Sequence, residues 1–128
     1  MKIVIADDSV LLRNRIKESL KGMNNIEIVG EANNGIEALE IINEKIPDFI
    51  LLDIRMPGLN GIEVLKKIKG NLNNKAKVCI FTNYPYSQYR TKCMEEGADY
   101  FFDKNIDFQE VKNLIAQLAQ NGTGGKHG

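Results

Sequence analysis

The 128 residues include no tryptophan, one histidine, two cysteines and three prolines, and lysine plus arginine equals aspartate plus glutamate at seventeen each. Each scarcity removes a class of function. A formal net charge of zero leaves no basic excess of the kind that general nucleic-acid binders and membrane-surface proteins rely on. Cys79 and Cys93 are too few and too far apart for a zinc site or a disulfide framework. Cys79, within Val78-Cys79-Ile80-Phe81, is expected to be a small buried hydrophobe; Cys93, among polar residues, is a candidate surface thiol with nothing beside it to activate it. The single histidine, His127, lies in the C-terminal tail, so no histidine metal site or serine/histidine arrangement is available, and no glycine-rich nucleotide loop is present. A run of only four apolar residues, Ile3 to Ala6, precedes Asp7-Asp8, and no later run approaches the ~20 residues of a membrane span. A cytoplasmic protein is expected.

What is present is regular. At 43% apolar and 27% charged residues, the chain has the composition of one globular domain. Five short apolar runs recur: Ile3 to Ala6, Ile26 to Val29, Phe49 to Leu52, Val78 to Phe81 and Tyr100 to Phe102. Four are continuous rather than alternating, as strands buried on both faces of a parallel sheet are. Between and after them lie helical spacings: Leu12, Ile16, Leu20; Ala38, Leu39, Ile42; Ile62, Leu65, Ile68; and Phe108, Val111, Leu114, Ile115, Leu118. A weaker amphipathic pattern covers 86–97. Gly22, Gly70 and Gly97 fall where helices should stop, and Asp107 with Glu110 marks a helix start. The reading is an α/β protein, a three-layer (βα)5 sandwich with right-handed crossovers, occupying 1–120. Residues 121–128, rich in glycine, are expected to form a disordered tail.

In open α/β sheets ligands bind at the carboxyl ends of the strands. There the chain carries Asp7-Asp8, Asp53, Thr82, and Asp103-Lys104. If the strands take the flavodoxin-like order 2-1-3-4-5, three carboxylates converge beside one hydroxyl and one ammonium. Two carboxylates ~4 Å apart repel by about 4 kcal/mol at an effective dielectric of 20, so the cluster calls for a counter-ion. A hard divalent cation such as Mg2+, which favours one or two carboxylates together with phosphate oxygens, fits. Taken singly, each residue has a plain structural role, as a helix-terminus charge or a turn former; the conjunction on one sheet edge is what points to chemistry.

These residues resemble the receiver domain of bacterial two-component response regulators, of the stand-alone chemotaxis-regulator type. The resemblance covers about residues 1–120. It rests on Ile5-Ala6-Asp7-Asp8-Ser9, Asn34-Gly35-Ile36-Glu37-Ala38-Leu39, Asp53-Ile54-Arg55-Met56-Pro57-Gly58-Leu59-Asn60-Gly61, Thr82, and Lys104 after Asp99 to Asp103. It implies that Asp53 accepts a phosphoryl group from a histidine kinase or a histidine phosphotransfer protein. Mg2+ would be held by Asp8, Asp53 and the backbone carbonyl of Arg55, with Asp7 acting mainly through water. Thr82 and Lys104 would each contact a phosphoryl oxygen, and Thr82 and Phe101 would form the switch. Kinase choice would depend on Ser9 to Gly22 and Lys104 to Asp107. Output would pass to a downstream target protein or a homodimer through the helix 4, strand 5, helix 5 face, with no direct nucleic-acid or membrane contact. Beyond its own phosphorylation and slow dephosphorylation, the domain is not expected to be an enzyme.

The chain departs from the commonest pattern of that family. Asn105 follows Lys104 where a proline in a cis bond is common, Phe101 lacks a switch tyrosine's hydroxyl, and Asn83 is larger than usual. Asn83, Arg55 and Tyr84 are candidates for tuning the phosphorylation and hydrolysis rates. Two readings of other classes compete. A Mg2+-dependent phosphatase with an aspartyl nucleophile, of the haloacid-dehalogenase kind, wants an aspartate two residues after the nucleophile, where Arg55 stands. A phosphate-independent adaptor would not need the complete acid, threonine and lysine set. The tyrosines at 84, 86 and 89 suit either local packing or a partner contact, and Lys66, Lys67, Lys69, Lys75 and Lys77 suit a solvated face. Charge is unevenly shared: residues 1–64 hold seven basic and eleven acidic side chains, residues 65–128 ten and six.

Overall fold

The apolar runs become strands and the 3.6-residue spacings become helices in strict alternation. The computed structural model describes residues 1–125, in the order β1 (Lys2–Ala6), α1 (Val10–Leu20), β2 (Glu27–Ala32), α2 (Gly35–Lys45), β3 (Phe49–Leu52), α3 (Gly61–Gly70), β4 (Lys77–Thr82), α4 (Ser87–Glu95), β5 (Tyr100–Asp103) and α5 (Phe108–Gly125). The five strands form one sheet of order β2-β1-β3-β4-β5, parallel at every pairing. This is the flavodoxin-like arrangement expected from the sequence. The expected boundary at residue 120 falls inside α5, which continues to Gly125; residues 126–128 of the expected tail, with His127, lie outside the described residues.

Alternation along the strands divides the core. Ile3 and Ile5 of β1 and Phe49 and Leu51 of β3 face α1 and α5, meeting Ile16, Leu20, Val111 and Ile115. Val4, Ala6, Ile50 and Leu52 face the opposite side, meeting Ala38, Ile42, Val64, Leu65 and Ile68 of α2 and α3. Cys79 is fully buried as expected. Cys93 is also fully buried, correcting the surface assignment: it is the one buried residue that α4 turns toward the core. A helix with so narrow an apolar face gives little periodicity to read. Among the described residues, no helix is long and apolar enough to cross a membrane. Of the lysine stretch, Lys69 and Lys77 turn to Asp99 at 2.9 and 3.9 Å, and Lys66, Lys67 and Lys75 stay exposed.

Two glycines fix the loop between β3 and α3. A Cβ on Gly61 would lie 2.0 Å from the Asp53 carbonyl oxygen, and one on Gly35 2.0 Å from that of Leu59. Only glycine lets these backbones approach so closely, and the Gly61 amide donates to the Ile54 carbonyl at 2.7 Å. Asn60 caps α3, its side chain accepting from the Glu63 amide while the Glu63 carboxylate accepts from the Asn60 amide. The chain leaving Asp53 is therefore turned at once and anchored within a few residues.

Candidate functional site

A parallel ladder runs one amide past the ends of its strands, and the site residues are that extension. Asp7 N–H donates to Ala32 O at 3.0 Å, Asp53 N–H to Ala6 O at 3.0 Å, and Lys104 N–H to Thr82 O at 2.9 Å. The backbones of Asp7, Asp53 and Lys104 are thus held by the sheet, while their side chains lie beyond its edge. The register puts Ala6 beside Leu52, Leu52 beside Ile80, and Thr82 beside Asp103. All five sequence-predicted residues (Asp7, Asp8, Asp53, Thr82, Lys104) therefore sit on the carboxyl edge of β1, β3, β4 and β5.

The three carboxylates converge: one oxygen from each of Asp7, Asp8 and Asp53 lies within 4.8 Å of the others. Asp7 and Asp53 are buried and Asp8 is exposed. At that spacing each ionised pair repels by about 3.5 kcal/mol at an effective dielectric of 20. The Lys104 ammonium offsets part of this, bridging Asp7 Oδ2 at 2.6 Å and Asp53 Oδ2 at 2.9 Å. Burial works to lower the pKa of Lys104, but its hydrogen bond to Asp7 and the charge of Asp53 outweigh that and raise it, so the amine stays protonated. Asp53 moves in the other sense. Burial raises its pKa, Lys104 pulls it back, and the charge of Asp7 raises it again, leaving it above the ordinary carboxylate range. Asp53 Oδ1 also accepts from the Ile54 amide at 2.8 Å.

This set fits a divalent cation. Three oxygen donors converge, one on the solvent side, and the single ammonium leaves them with a net negative charge. Hard oxygen ligands of this kind suit Mg2+ or a similar ion rather than a soft metal. Arg55, whose backbone carbonyl the resemblance implies as a further ligand, stands two residues after Asp53 and lines an open groove with Asp8, Ile54, Met56, Asn60 and Tyr89.

Thr82 is fully buried, and its Oγ1 accepts from the Tyr84 amide at 3.0 Å. One lone pair is thus occupied and the hydroxyl proton is left to donate. Phe101 is 6% exposed, with the Arg90 guanidinium 4.6 Å from its ring centre, a cation–π contact that favours the inward ring. Asn83 is exposed. The Lys104–Asn105 peptide is trans, as no cis bond occurs among the described residues.

Tyr84, Tyr86 and Tyr89 pack against each other, with ring centres 6.4 and 5.9 Å apart, so the local-packing alternative describes them. Arg55 joins the group, its guanidinium 4.1 Å from the Tyr84 ring and in a long hydrogen bond of 3.5 Å to the Tyr89 hydroxyl. The sequence places Arg55 and Tyr84 separately near the site and gives no sign that they stack on each other. It also missed Arg13, buried beneath Asp7; within a helix pattern, arginine gives no sign that it points inward.

Comparison with known proteins agrees with this geometry. The family model for the response regulator receiver domain matches residues 3–116. The chain is 35% identical over 112 residues to the regulator BvgA of Bordetella pertussis, covering 88% of this chain and 53% of that protein. It is 30% identical over 117 residues to the nitrate/nitrite response regulator NarL of Escherichia coli, covering 91% and 54%. It thus spans about half the length of these curated relatives. Among solved structures it superposes on a chain of the CheX–CheY–BeF3–Mg2+ complex of Borrelia burgdorferi with a TM-score of 0.80 and 26% identity, covering 93% of this chain and 87% of that one.

The raised pKa of Asp53 has a consequence for stability without metal. A group whose folded pKa exceeds its unfolded value contributes stability that is fully present below the unfolded pKa and is lost as pH rises through the folded one. At neutral pH, ionised Asp53 therefore costs the metal-free fold. Asp53→Asn is expected to raise the melting temperature by a few degrees at pH 7 in metal-free buffer, with the gap closing as pH falls through the raised Asp53 pKa. Thermal melts followed by circular dichroism check this; a lower melting temperature at pH 7 would contradict it.

Proposed function

The chain belongs to the response regulator receiver domain family of two-component systems, and we propose that Asp53 is its phosphoacceptor, with Mg2+ as the cation. The observation that carries this is the convergence of Asp7, Asp8 and Asp53 around a lysine already paired with two of them. Asp8, Asp53 and the Arg55 carbonyl would hold Mg2+ directly, and Asp7 through water. When bound, the cation supplies neutralisation of charge on phosphoryl oxygens. The solved relative's complex with Mg2+ and beryllofluoride supports this assignment.

In the reaction, an Asp53 carboxylate oxygen attacks the phosphorus of a phosphohistidine on a kinase or phosphotransfer protein. The O–P bond forms as the N–P bond breaks, and the imidazole leaves. Phosphoryl transfer needs positioning and charge compensation more than covalent help, and this chain's residues supply both. The sheet edge fixes Asp53, Lys104 exchanges a carboxylate for a phosphoryl oxygen, and the free Thr82 proton donates to another. Movement of Thr82 toward the phosphoryl group would open space beside the Phe101 ring, which is already buried, and holding that ring inward would fix the face of α4, β5 and α5 that a target protein or a second copy reads. The domain catalyses its own phosphorylation and slow dephosphorylation and no other turnover. Arg55 in place of an acid/base aspartate argues against a phosphatase.

Incubation with acetyl phosphate and Mg2+, followed by intact-mass spectrometry, is expected to show the addition of one phosphoryl group that Asp53→Asn abolishes. Rapid turnover of general phosphate esters, or addition that survives the substitution, would overturn the proposal.

Arg55 stacked on Tyr84, with Asn83 beside Thr82, narrows the approach of water to the acyl phosphate. Arg55→Ala and Tyr84→Ala are each expected to release phosphate severalfold faster than wild type, and Asn83→Ala to speed both acetyl phosphate uptake and release. Phosphate-release kinetics test this; unchanged rates in Arg55→Ala and Tyr84→Ala would refute it.

A further inference from the structure

Arg13 sits where a cation is costly. It lies in the first turns of α1, a helix with no acidic residue in its first turn. A positive charge near a helix N-terminus opposes the helix dipole, and its side chain is only 9% exposed. An apolar residue would fill the position at less cost, since buried ion pairs add little net stability. What Arg13 does there is hold main chain. Side chains on a helix lean toward its N-terminus, and Arg13 reaches back past the capping Ser9 so that Nη1 donates to the Asp7 carbonyl oxygen. Its Nε donates to Glu31 Oε1 at 3.1 Å, and Lys17 holds the other Glu31 oxygen at 2.7 Å. Burial tends to raise the pKa of Glu31, but the bonds from Lys17 and Arg13 outweigh it and lower the value, so Glu31 stays ionised as an anchor.

The Asp7 carbonyl belongs to the peptide joining Asp7 to Asp8. Fixing its oxygen fixes the plane of that peptide and with it the direction in which the Asp8 side chain leaves the backbone. Asp7 N–H is held by Ala32 O at 3.0 Å, and Asp7 Oδ1 accepts from the Ser9 amide at 2.9 Å. Asp8 is exposed, and among the described residues its carboxylate accepts no hydrogen bond, so its aim depends on the main chain.

We infer that Arg13, locked by Glu31, is a positioning residue for the divalent-cation site: by gripping the Asp7 carbonyl it orients the Asp7–Asp8 peptide so that Asp8 meets Asp53. The inference rests on the Mg2+ reading proposed above. Through the field alone, removing a cation near the site would tighten Mg2+ binding; through positioning, it would weaken it.

The test is calorimetric titration of the full chain with Mg2+, well below the melting temperature of each variant. Arg13→Met, which keeps bulk and removes both hydrogen bonds, is expected to weaken Mg2+ roughly tenfold, the scale found when groups orienting metal ligands are lost. Arg13→Lys, which keeps the charge but not the two-pronged grip, is expected to weaken it severalfold. Equal or tighter binding by Arg13→Met overturns the inference, and should that variant not fold, unchanged affinity in Arg13→Lys does so. If wild type takes up no Mg2+, the functional reading fails and this inference with it; wild-type uptake together with undiminished variants fails the inference alone.

Discussion

One ammonium group holds together a site that would otherwise repel itself. Lys104 stands between Asp7 and Asp53 at 2.6 and 2.9 Å, and without it three carboxylates within 4.8 Å of one another would carry three unfavourable pairs in a partly buried setting. The compensation is incomplete, with one positive charge against three negative. That residual charge suits the cluster to a divalent cation and is the premise of the phosphoacceptor role proposed for Asp53. Burial raises the Asp53 pKa, Lys104 pulls it back only in part, and the charge of Asp7 adds to the rise.

The rest of the architecture serves to keep these groups from relaxing apart. Each of Asp7, Asp53 and Lys104 is tied by its own amide to the last carbonyl of the neighbouring strand, so spreading the charges would mean unzipping the sheet edge. Gly61 against the Asp53 carbonyl and the Asn60–Glu63 capping box turn the chain away immediately afterward. Arg13 grips the Asp7 peptide from beneath. The Arg55, Tyr84, Tyr86 and Tyr89 group stands on the opposite flank, toward α4. On the side of α1, β1 and β3 the site is tied by main-chain hydrogen bonds, while the loop after β4 is held by the Thr82 hydroxyl contact with the Tyr84 amide and by the stacking of Arg55 on Tyr84.

Much of this was legible in the sequence because it is periodic or positional. The apolar run Phe49 to Leu52 is β3 residue for residue, since a strand buried on both faces leaves no polar residue to blur its ends. The site residues are the ones that stand at or directly after the carboxyl ends of the apolar runs. The sequence failed where burial has no periodic signature. Cys93 is the only buried residue of α4, so its polar neighbours suggested exposure. Arg13 reads as a solvated helix residue until its partner Glu31, eighteen positions away on β2, is brought alongside by the β2–β1 pairing. The stacking of Arg55 on Tyr84 likewise joins two loops whose proximity depends on the β3–β4 register.

In the proposed phosphorylated state, a cation and a phosphoryl group complete the charge balance begun by the carboxylates and Lys104. A crystal structure grown with Mg2+ and beryllofluoride addresses it most directly. Beryllofluoride is expected on an Asp53 carboxylate oxygen, with Mg2+ held by Asp8, Asp53 and the Arg55 carbonyl and the Lys104 ammonium moved from Asp7 to a fluoride. Mg2+ bound away from these carboxylates, or Lys104 still bridging Asp7 and Asp53 with beryllofluoride in place, would contradict it.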